Sequence, residues 1–376
     1  MNQSGLKDWN GVIYADVLKQ SRPWNRPDGS PATLNAFGIP TEEAAAYLND
    51  SYPLRAGTYR VYHNGQLDIS FTHGTLGAFS TDPATGLQMA EWVLPARTNT
   101  VRMFLSNVVT APTVLSIMRP IDDGSTVSHD FGELPDRLMI ERLGDTSIVR
   151  FMDLLETNGN DSEKWEFRVR PYEPPRTEKP QGGEGMPWEH VIAFSNAMGM
   201  SPFINIPIKA DDEYIRNVAK VFRFGSDGVD PFNSDAEREA HRAAGGTVWE
   251  PLDPSLDLYI EYSNEVWNTN VSFPQTAWLE SQALAEASAD PNSPLVYDGL
   301  TPSANGYSRI LLGRAYTRRV VFISNTFREV FGDDQMMTRV RPLLFWQKSN
   351  ANSHGSFRLA FLQDYYGQVR PGNPVA

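Results

Sequence analysis

The stretch LDLYIEYSNEVWN, residues 256–268, joins an apolar run to a polar pair that is followed by an aromatic residue. The run at residues 256–262 predicts a β-strand, because aromatic and branched side chains fit a pleated, half-buried surface. Asn264 and Glu265 follow where this strand ends. In a (β/α)8 barrel the reactive groups lie at the carboxyl ends of the strands. This stretch therefore predicts both a fold and the place of a site.

Apolar runs alternate with helical segments after about residue 140. Such alternation is typical of strand–helix units and a parallel sheet. The predicted strands are residues 147–152, 202–207, 256–262 and 340–346, and the predicted helices lie near residues 188–198, 212–222 and 306–330. We therefore predict an α/β fold for residues 140–376, a TIM-barrel-like (β/α)8 domain. Because the strand count reaches only about five of the eight required, we expect the barrel to be incomplete at its carboxyl end.

The preceding segment has a different pattern. Residues 53–139 contain short runs with a period near two, and Asn64-Gly65 between two of them is a strong hairpin signal. We predict an antiparallel β-sandwich for this segment. Residues 1–52 are predicted to hold the first barrel strand, at residues 11–18, and an N-terminal segment with a short helical patch at residues 44–48.

The composition excludes several classes of function. The 376 residues include 33 basic and 46 acidic side chains, a net charge of −13 at pH 7. Nucleic-acid binding needs clustered Lys and Arg, so we expect no nucleic-acid partner. No apolar run approaches the length of about 18 residues that a membrane span needs. The chain also has no cysteine, which excludes disulfides, thiolate catalysis and cysteine-bound zinc.

We predict neither a metal site nor a cofactor. None of the six histidines has the spacing of metal ligands. The acidic loop at residues 227–237 offers oxygen ligands for Ca²⁺, but its spacing is not that of a regular calcium loop. A solvated loop is the better interpretation.

Polar and aromatic side chains gather at the carboxyl ends of four predicted strands, which favours a polar cleft with an aromatic rim. A carboxyl group against an apolar wall has a raised pKa and can donate a proton. The candidate substrate-binding residues are Asp153, Asn158, Trp188, Asp211, Asp212, Tyr262, Trp267, Trp346 and Gln347. The alternative is that the polar groups only cap the helices that follow, as Asp212 or the Asn264-Glu265 pair would.

Residues 261–268 resemble the EYSNEVWN signature of a group of secreted bacterial carbohydrate-active proteins. The same group has counterparts of residues 19–24, 150–153 and 210–214, so the resemblance runs in order from about residue 16 to residue 275. The Asn-Glu pair is also similar to that of clan A glycoside hydrolases, in which the Glu is the general acid/base and the Asn positions a sugar hydroxyl. The resemblance implies that Glu265 and Asn264 are catalytic and that the substrate is a β-linked polysaccharide or oligosaccharide.

The resemblance also implies an extracellular location, although residues 1–9 do not show the pattern of a signal peptide. A retaining clan A enzyme needs a second Glu on its seventh strand, with the two carboxyl groups about 5 Å apart. The tail at residues 361–374 contains no Glu. Glu261 is a poor substitute, since four residues of strand would place its side chain about 13 Å from that of Glu265.

Two hypotheses therefore stay open. In the first, the chain is a retaining glycoside hydrolase with Glu265 as proton donor, and its nucleophile is either part of a longer protein or located elsewhere. In the second, it is a non-catalytic carbohydrate-binding or structural protein of a surface, filament or virion. The sequence does not identify the polysaccharide or the oligomeric state.

Overall fold

A computed structural model describes residues 12–49, 53–172, 185–350 and 354–368 of the chain. Its first part is built from antiparallel strands. The strands are β1 (Ala44–Tyr47), β2 (Gly57–His63), β3 (Gln66–Phe71), β4 (Thr75–Leu76), β5 (Ser80–Thr81), β6 (Gln88–Leu94), β7 (Arg102–Thr110) and β8 (Leu115–Met118). They form one sheet in the order β1-β7-β3 and a second in the order β4-β6-β2-β8, with β5 also paired to β6.

The two antiparallel sheets share one apolar core. Val61 and Trp92 from the second sheet lie in the same buried cluster as Ile69, Met103 and Leu105 from the first. The prediction of antiparallel sheets is confirmed. The predicted helical patch at residues 44–48 is wrong, because β1 is a strand paired with β7 and Ala44 and Ala46 contribute to this core.

The hairpin predicted at Asn64-Gly65 does not form, because β2 and β3 belong to different sheets. The Asn64 amide oxygen instead accepts hydrogen bonds from the backbone N–H groups of Thr113 and Val114. A Cβ atom at Gly65 would lie 2.7 Å from the carbonyl oxygen of Thr110, so only glycine allows this close approach. Asn64 and Gly65 therefore connect β2 of one sheet to β3 of the other.

The second part is an α/β unit with a four-stranded parallel sheet. Its elements are α1 (Arg137–Leu143), β9 (Ile148–Arg150), α2 (Trp188–Met198), β10 (Ser201–Ile206), α3 (Asp212–Phe224), α4 (Asp235–Ala243), β11 (Leu258–Tyr262), α5 (Pro274–Ala289), α6 (Tyr307–Phe331), β12 (Val340–Leu343) and α7 (Ser356–Phe361). The sheet order is β9-β10-β11-β12, and every neighbouring pair is parallel. Over the described ranges these strands form an open sheet and no closed barrel.

The first barrel strand predicted at residues 11–18 does not join this sheet. Tyr14 and Asp16 make isolated antiparallel bridges to Pro135 and Met118, and a 3₁₀ turn occupies Val17–Gln20. Gly11 lies outside the described residues. The apolar run is buried, but it lies between the two parts of the chain and has no parallel neighbour.

The alternation of side chains along β10 and β11 decides which face carries a site. Ile204, Ile206 and Ile260 lie in the large apolar cluster formed with the helices. Asn205 and Glu261 point to the opposite face and are register partners across the two strands. No helix in the described ranges has the length and apolar character of a membrane span.

Candidate functional site

A tight turn after β11 carries Glu265. The strand ends at Tyr262, and Ser263 and Glu265 then adopt φ angles of 57° and 45°. The Glu265 carbonyl oxygen accepts hydrogen bonds from the backbone N–H groups of Trp267 and Asn268 at 2.6 and 2.8 Å. Left-handed backbone is unfavourable for residues with side chains and is concentrated at functional sites. The strand spacing expected between Glu261 and Glu265 therefore does not apply.

Glu261 is a buried carboxylate held by two donors. The residue is 1% exposed, and Oε2 accepts hydrogen bonds from the Arg150 guanidinium at 2.7 Å and from the Asn205 amide at 2.8 Å. Burial raises the pKa of Glu261 above its usual range, although Arg150 and Asn205 act in the opposite direction. The negative charge of Glu265 also raises the pKa of Glu261, which means that the two carboxylates interact electrostatically.

Asn264 is fixed by hydrogen bonds at both ends of its amide. Its Oδ1 accepts from Arg150 at 2.9 Å, and its Nδ2 donates to Asn158 Oδ1 at 2.9 Å. The Gln275 amide donates to both Asn158 Oδ1 and the Asn264 carbonyl oxygen. Asn264 is only 3% exposed, so its main effect is to hold the turn in place.

Glu265 is partly exposed and directly follows Asn264 of this network. Its Oε2 accepts a hydrogen bond from the Asn268 side chain at 2.9 Å. A carboxyl group in this position is accessible to a ligand at the carboxyl edge of the parallel sheet.

Two predicted binding residues lie in the core instead. Trp188 is buried, and its indole N–H donates to the Tyr214 hydroxyl at 3.1 Å. Tyr262 is also buried, and its hydroxyl donates to the Ile208 carbonyl at 2.6 Å. Both side chains belong to the apolar cluster formed with the helices, and these hydrogen bonds satisfy their polar atoms. A role for either residue in substrate binding stays a prediction.

Asp211 and Asp212 serve α3. The Asp211 carboxylate accepts a hydrogen bond from the Tyr214 backbone N–H at 2.7 Å, which caps the helix. Asp212 forms an exposed ion pair with Arg319. Helix capping, the alternative open at these positions, explains Asp211 without any ligand.

Asp153 lines a separate cavity of about 120 Å³ together with Arg150. Trp267 and Gln347 line a larger cavity of about 380 Å³ beside the turn. Trp346 is partly buried, and a Cβ atom at Gly355 would lie 2.9 Å from its ring, so the indole packs against that backbone. The structure thus joins Asn158 and Asn264 by a hydrogen bond. Trp267 and Gln347 line one cavity together with Asn268, which is the hydrogen-bond donor to Glu265.

Four residues that complete the network have no role in the sequence prediction. They are Arg150, Asn205, Glu261 and Gln275. Asn205 and Glu261 did carry a signal, since each is a polar residue inside an otherwise apolar strand. A buried polar group needs a partner, so their pairing could have been suspected once adjacent strands were assumed.

The acidic loop at residues 227–237 uses its carboxylates internally. Asp227 accepts hydrogen bonds from the backbone N–H groups of Val229 and Asp230, and Glu237 accepts from Asn233. Among the described residues no group of three or more His, Asp or Glu side chains is arranged to hold a metal ion.

Comparison with known proteins finds no matching family model, no matching curated protein and no matching solved structure. The case for a function therefore depends on the geometry of the turn and on the resemblance of residues 261–268.

Proposed function

We propose that this chain acts on a β-linked carbohydrate polymer at the carboxyl edge of its parallel sheet, as a retaining glycoside hydrolase with Glu265 as proton donor. The observation that carries the proposal is the partly exposed Glu265 on a strained turn whose neighbour Asn264 is anchored by partly buried hydrogen bonds. General acid catalysis requires a carboxyl group that reaches the leaving-group oxygen, and the partial exposure of Glu265 at the end of β11 supports this role.

In this proposal Glu265 gives its proton to the glycosidic oxygen as the bond from that oxygen to the sugar ring breaks. The same carboxylate then takes a proton from the water that completes the reaction. Arg150, Glu261 and Asn264 are positioning residues, because Arg150 donates hydrogen bonds to both Glu261 and Asn264. The residue that would attack the sugar ring is not assigned.

The cavity of about 380 Å³ next to the turn supports the choice of substrate class. Trp267 lines this cavity and offers an apolar face on which a sugar ring can pack, and Gln347 offers an amide for hydroxyl groups. The resemblance of residues 261–268 to secreted carbohydrate-active proteins supports an extracellular location for the same activity.

The proposal is tested by incubating the purified chain with a panel of β-linked polysaccharides and measuring new reducing ends. We expect Glu265→Gln to reduce release by at least about 100-fold, the usual contribution of a general acid. Glu250→Gln, which changes an exposed carboxylate paired with Arg242, is the matched control and is expected to keep full activity. Unchanged activity in Glu265→Gln would remove this residue from the mechanism.

One observation favours a second candidate, a non-catalytic carbohydrate-binding or structural protein. Glu261, the carboxylate that interacts with Glu265, is buried and bound by Arg150 and Asn205, so it is not free to attack a sugar ring. This candidate predicts glycan binding that Trp267→Ala weakens, with no turnover of any polysaccharide. Slow hydrolysis that depends on Glu265 would exclude it.

A further inference from the structure

The cavity beside Trp267 is lined by more positive than negative side chains. Its volume is about 380 Å³, and Arg309 and Arg358 line it together with Glu280. This is unusual in a chain whose net charge is −13. The volume lies in the range of small-molecule sites, which is about 300–1,000 Å³.

Arg358 is a buried cation without a carboxylate partner in the described part of the chain. It is 1% exposed, and its two terminal nitrogens donate to the backbone carbonyls of Phe345 and Val266. Its guanidinium lies 3.9 Å from the centre of the Tyr316 ring, and its Nε has no hydrogen-bond partner. Buried charges are normally paired, and burial lowers the pKa of Arg358 to about 10. Among the described residues no carboxylate contacts this positive charge directly, although the negative charge of Glu261 raises the pKa of Arg358.

Two further side chains, Arg309 and His354, also line the cavity. Arg309 is exposed in the first turn of α6 and forms no ion pair with any residue that the structure describes. His354 is partly buried, and its Nδ1 has no hydrogen-bond partner. Burial lowers the pKa of His354, and the charges of Arg358 and Arg309 lower it further. The charges of Arg309 and Arg358 would be stabilised by an anion in the cavity.

We propose that this cavity is a subsite for a sugar ring that carries an anionic group, either a carboxylate or a sulfate ester. The inference rests on the proposed function, since it names the substrate class for the same cleft. Trp267 would pack on the ring while Arg309 and Arg358 attract its anionic substituent. The overall negative charge does not prevent this, because charges beyond about 10 Å are largely screened at 0.1 M salt.

The test measures binding to the Glu265→Gln variant, which holds oligosaccharides without turning them over. The probes are two matched pairs of equal length: β-linked oligomannuronate against β-linked oligomannose, and sulfated against plain cello-oligosaccharide. We expect at least one acidic probe to bind about tenfold more tightly than its neutral partner, as one additional charge-assisted contact gives. The pair that shows the difference identifies the anionic group.

A second substitution then places the effect in this cavity. Arg309→Ala should weaken binding of the acidic probe about tenfold and leave the neutral probe unchanged, and Arg309→Lys should restore part of the loss. The control is Arg328→Ala, which removes the same charge from α6 where Arg328 pairs with Asp333 outside the cavity.

The outcomes separate this inference from the proposed function. Equal binding of acidic and neutral probes, absence of binding to all four, or an Arg309→Ala effect no larger than that of Arg328→Ala overturns the anionic subsite. Turnover of a neutral polymer without any effect of Arg309 would retain the hydrolase and overturn the subsite. Arg309-dependent binding of an acidic probe by a wild-type chain that hydrolyses nothing would retain the subsite and overturn the hydrolase.

Discussion

Glu189 and Glu261 are both buried carboxylates paired with an arginine. The two pairs differ in their exposure to solvent, which distinguishes a structural ion pair from one that supports the candidate site. Arg168 bonds Glu189 through both terminal nitrogens at 2.8 and 2.9 Å, and its side chain is 2% exposed. Arg150 bonds Glu261 through one nitrogen, and its side chain is 37% exposed. The first pair is closed to solvent, whereas the second opens at the carboxyl edge of the parallel sheet.

Their surroundings differ in the same way. Arg168 also lies over the Trp165 ring, and Ser226 donates a third hydrogen bond to Glu189. These contacts join helix α2 to the loop after α3 and use both carboxylate oxygens. Near Glu261, the same terminal nitrogen of Arg150 also donates a hydrogen bond to Asn264, the residue before Glu265. A closed pair holds elements together, and a half-open pair supports groups that face a ligand.

The largest expected effect comes from breaking the closed pair. Glu189→Gln leaves the Arg168 charge buried without its partner, which costs about 3–5 kcal/mol of unfolding free energy. Chemical denaturation at neutral pH measures this loss. A loss below about 1 kcal/mol would mean that water or a neighbouring group compensates Arg168, and the contrast between the two pairs would not hold.

The same substitution at Glu261, in the half-open pair, should change the free energy of unfolding much less. Glu261→Gln keeps an acceptor for Arg150 and Asn205 while removing a buried charge, and Arg150 remains in contact with solvent. We expect a change within about 1 kcal/mol at neutral pH.

The wild type and Glu261→Gln should also differ in how their free energy of unfolding depends on pH. Because the pKa of Glu261 is raised in the folded state, that state binds its proton more tightly than the unfolded chain. In the wild type the contribution of Glu261 to the free energy of unfolding is thus largest below its pKa in the unfolded chain, about 4.3. This contribution is lost as the pH rises through the pKa of Glu261 in the folded state. Denaturation curves from acid to neutral pH should show this decline in the wild type and a flatter profile in Glu261→Gln. An identical pH profile for the two chains would contradict the raised pKa.

The smallest expected effect concerns the turn itself. Glu265 adopts a φ of 45°, a conformation that glycine accepts without the penalty of a side chain. Glu265→Gly should therefore leave stability unchanged or raise it by up to about 1 kcal/mol, while activity is lost. Thermal unfolding measures the first effect and the reducing-end assay the second. A clear loss of stability would show that the Glu265 side chain holds the turn, in which case it is not poised for a ligand.

The sequence was informative wherever a property depends on neighbouring residues. The alternation of apolar runs and helices correctly indicated the parallel strands β9 to β12, and the short runs of period two correctly indicated antiparallel sheets. The position of Glu265 just after β11 followed from the same local pattern. Local patterns failed at residues 44–48 and at Asn64-Gly65, where pairing with β7 and a crossing between sheets overrode the intrinsic preference.

The sequence by itself therefore determined an acidic, cysteine-free chain with a parallel α/β part, an antiparallel β part and an Asn-Glu pair at a strand end. Only the tertiary structure decided which groups meet there. Arg150 reaches Glu261 across 111 residues because β9, β10 and β11 are neighbours in a particular register. Periodicity records which face of a strand is buried, whereas the partner of a buried charge depends on sheet order, register and the turn that follows. Those are set by packing over the whole domain.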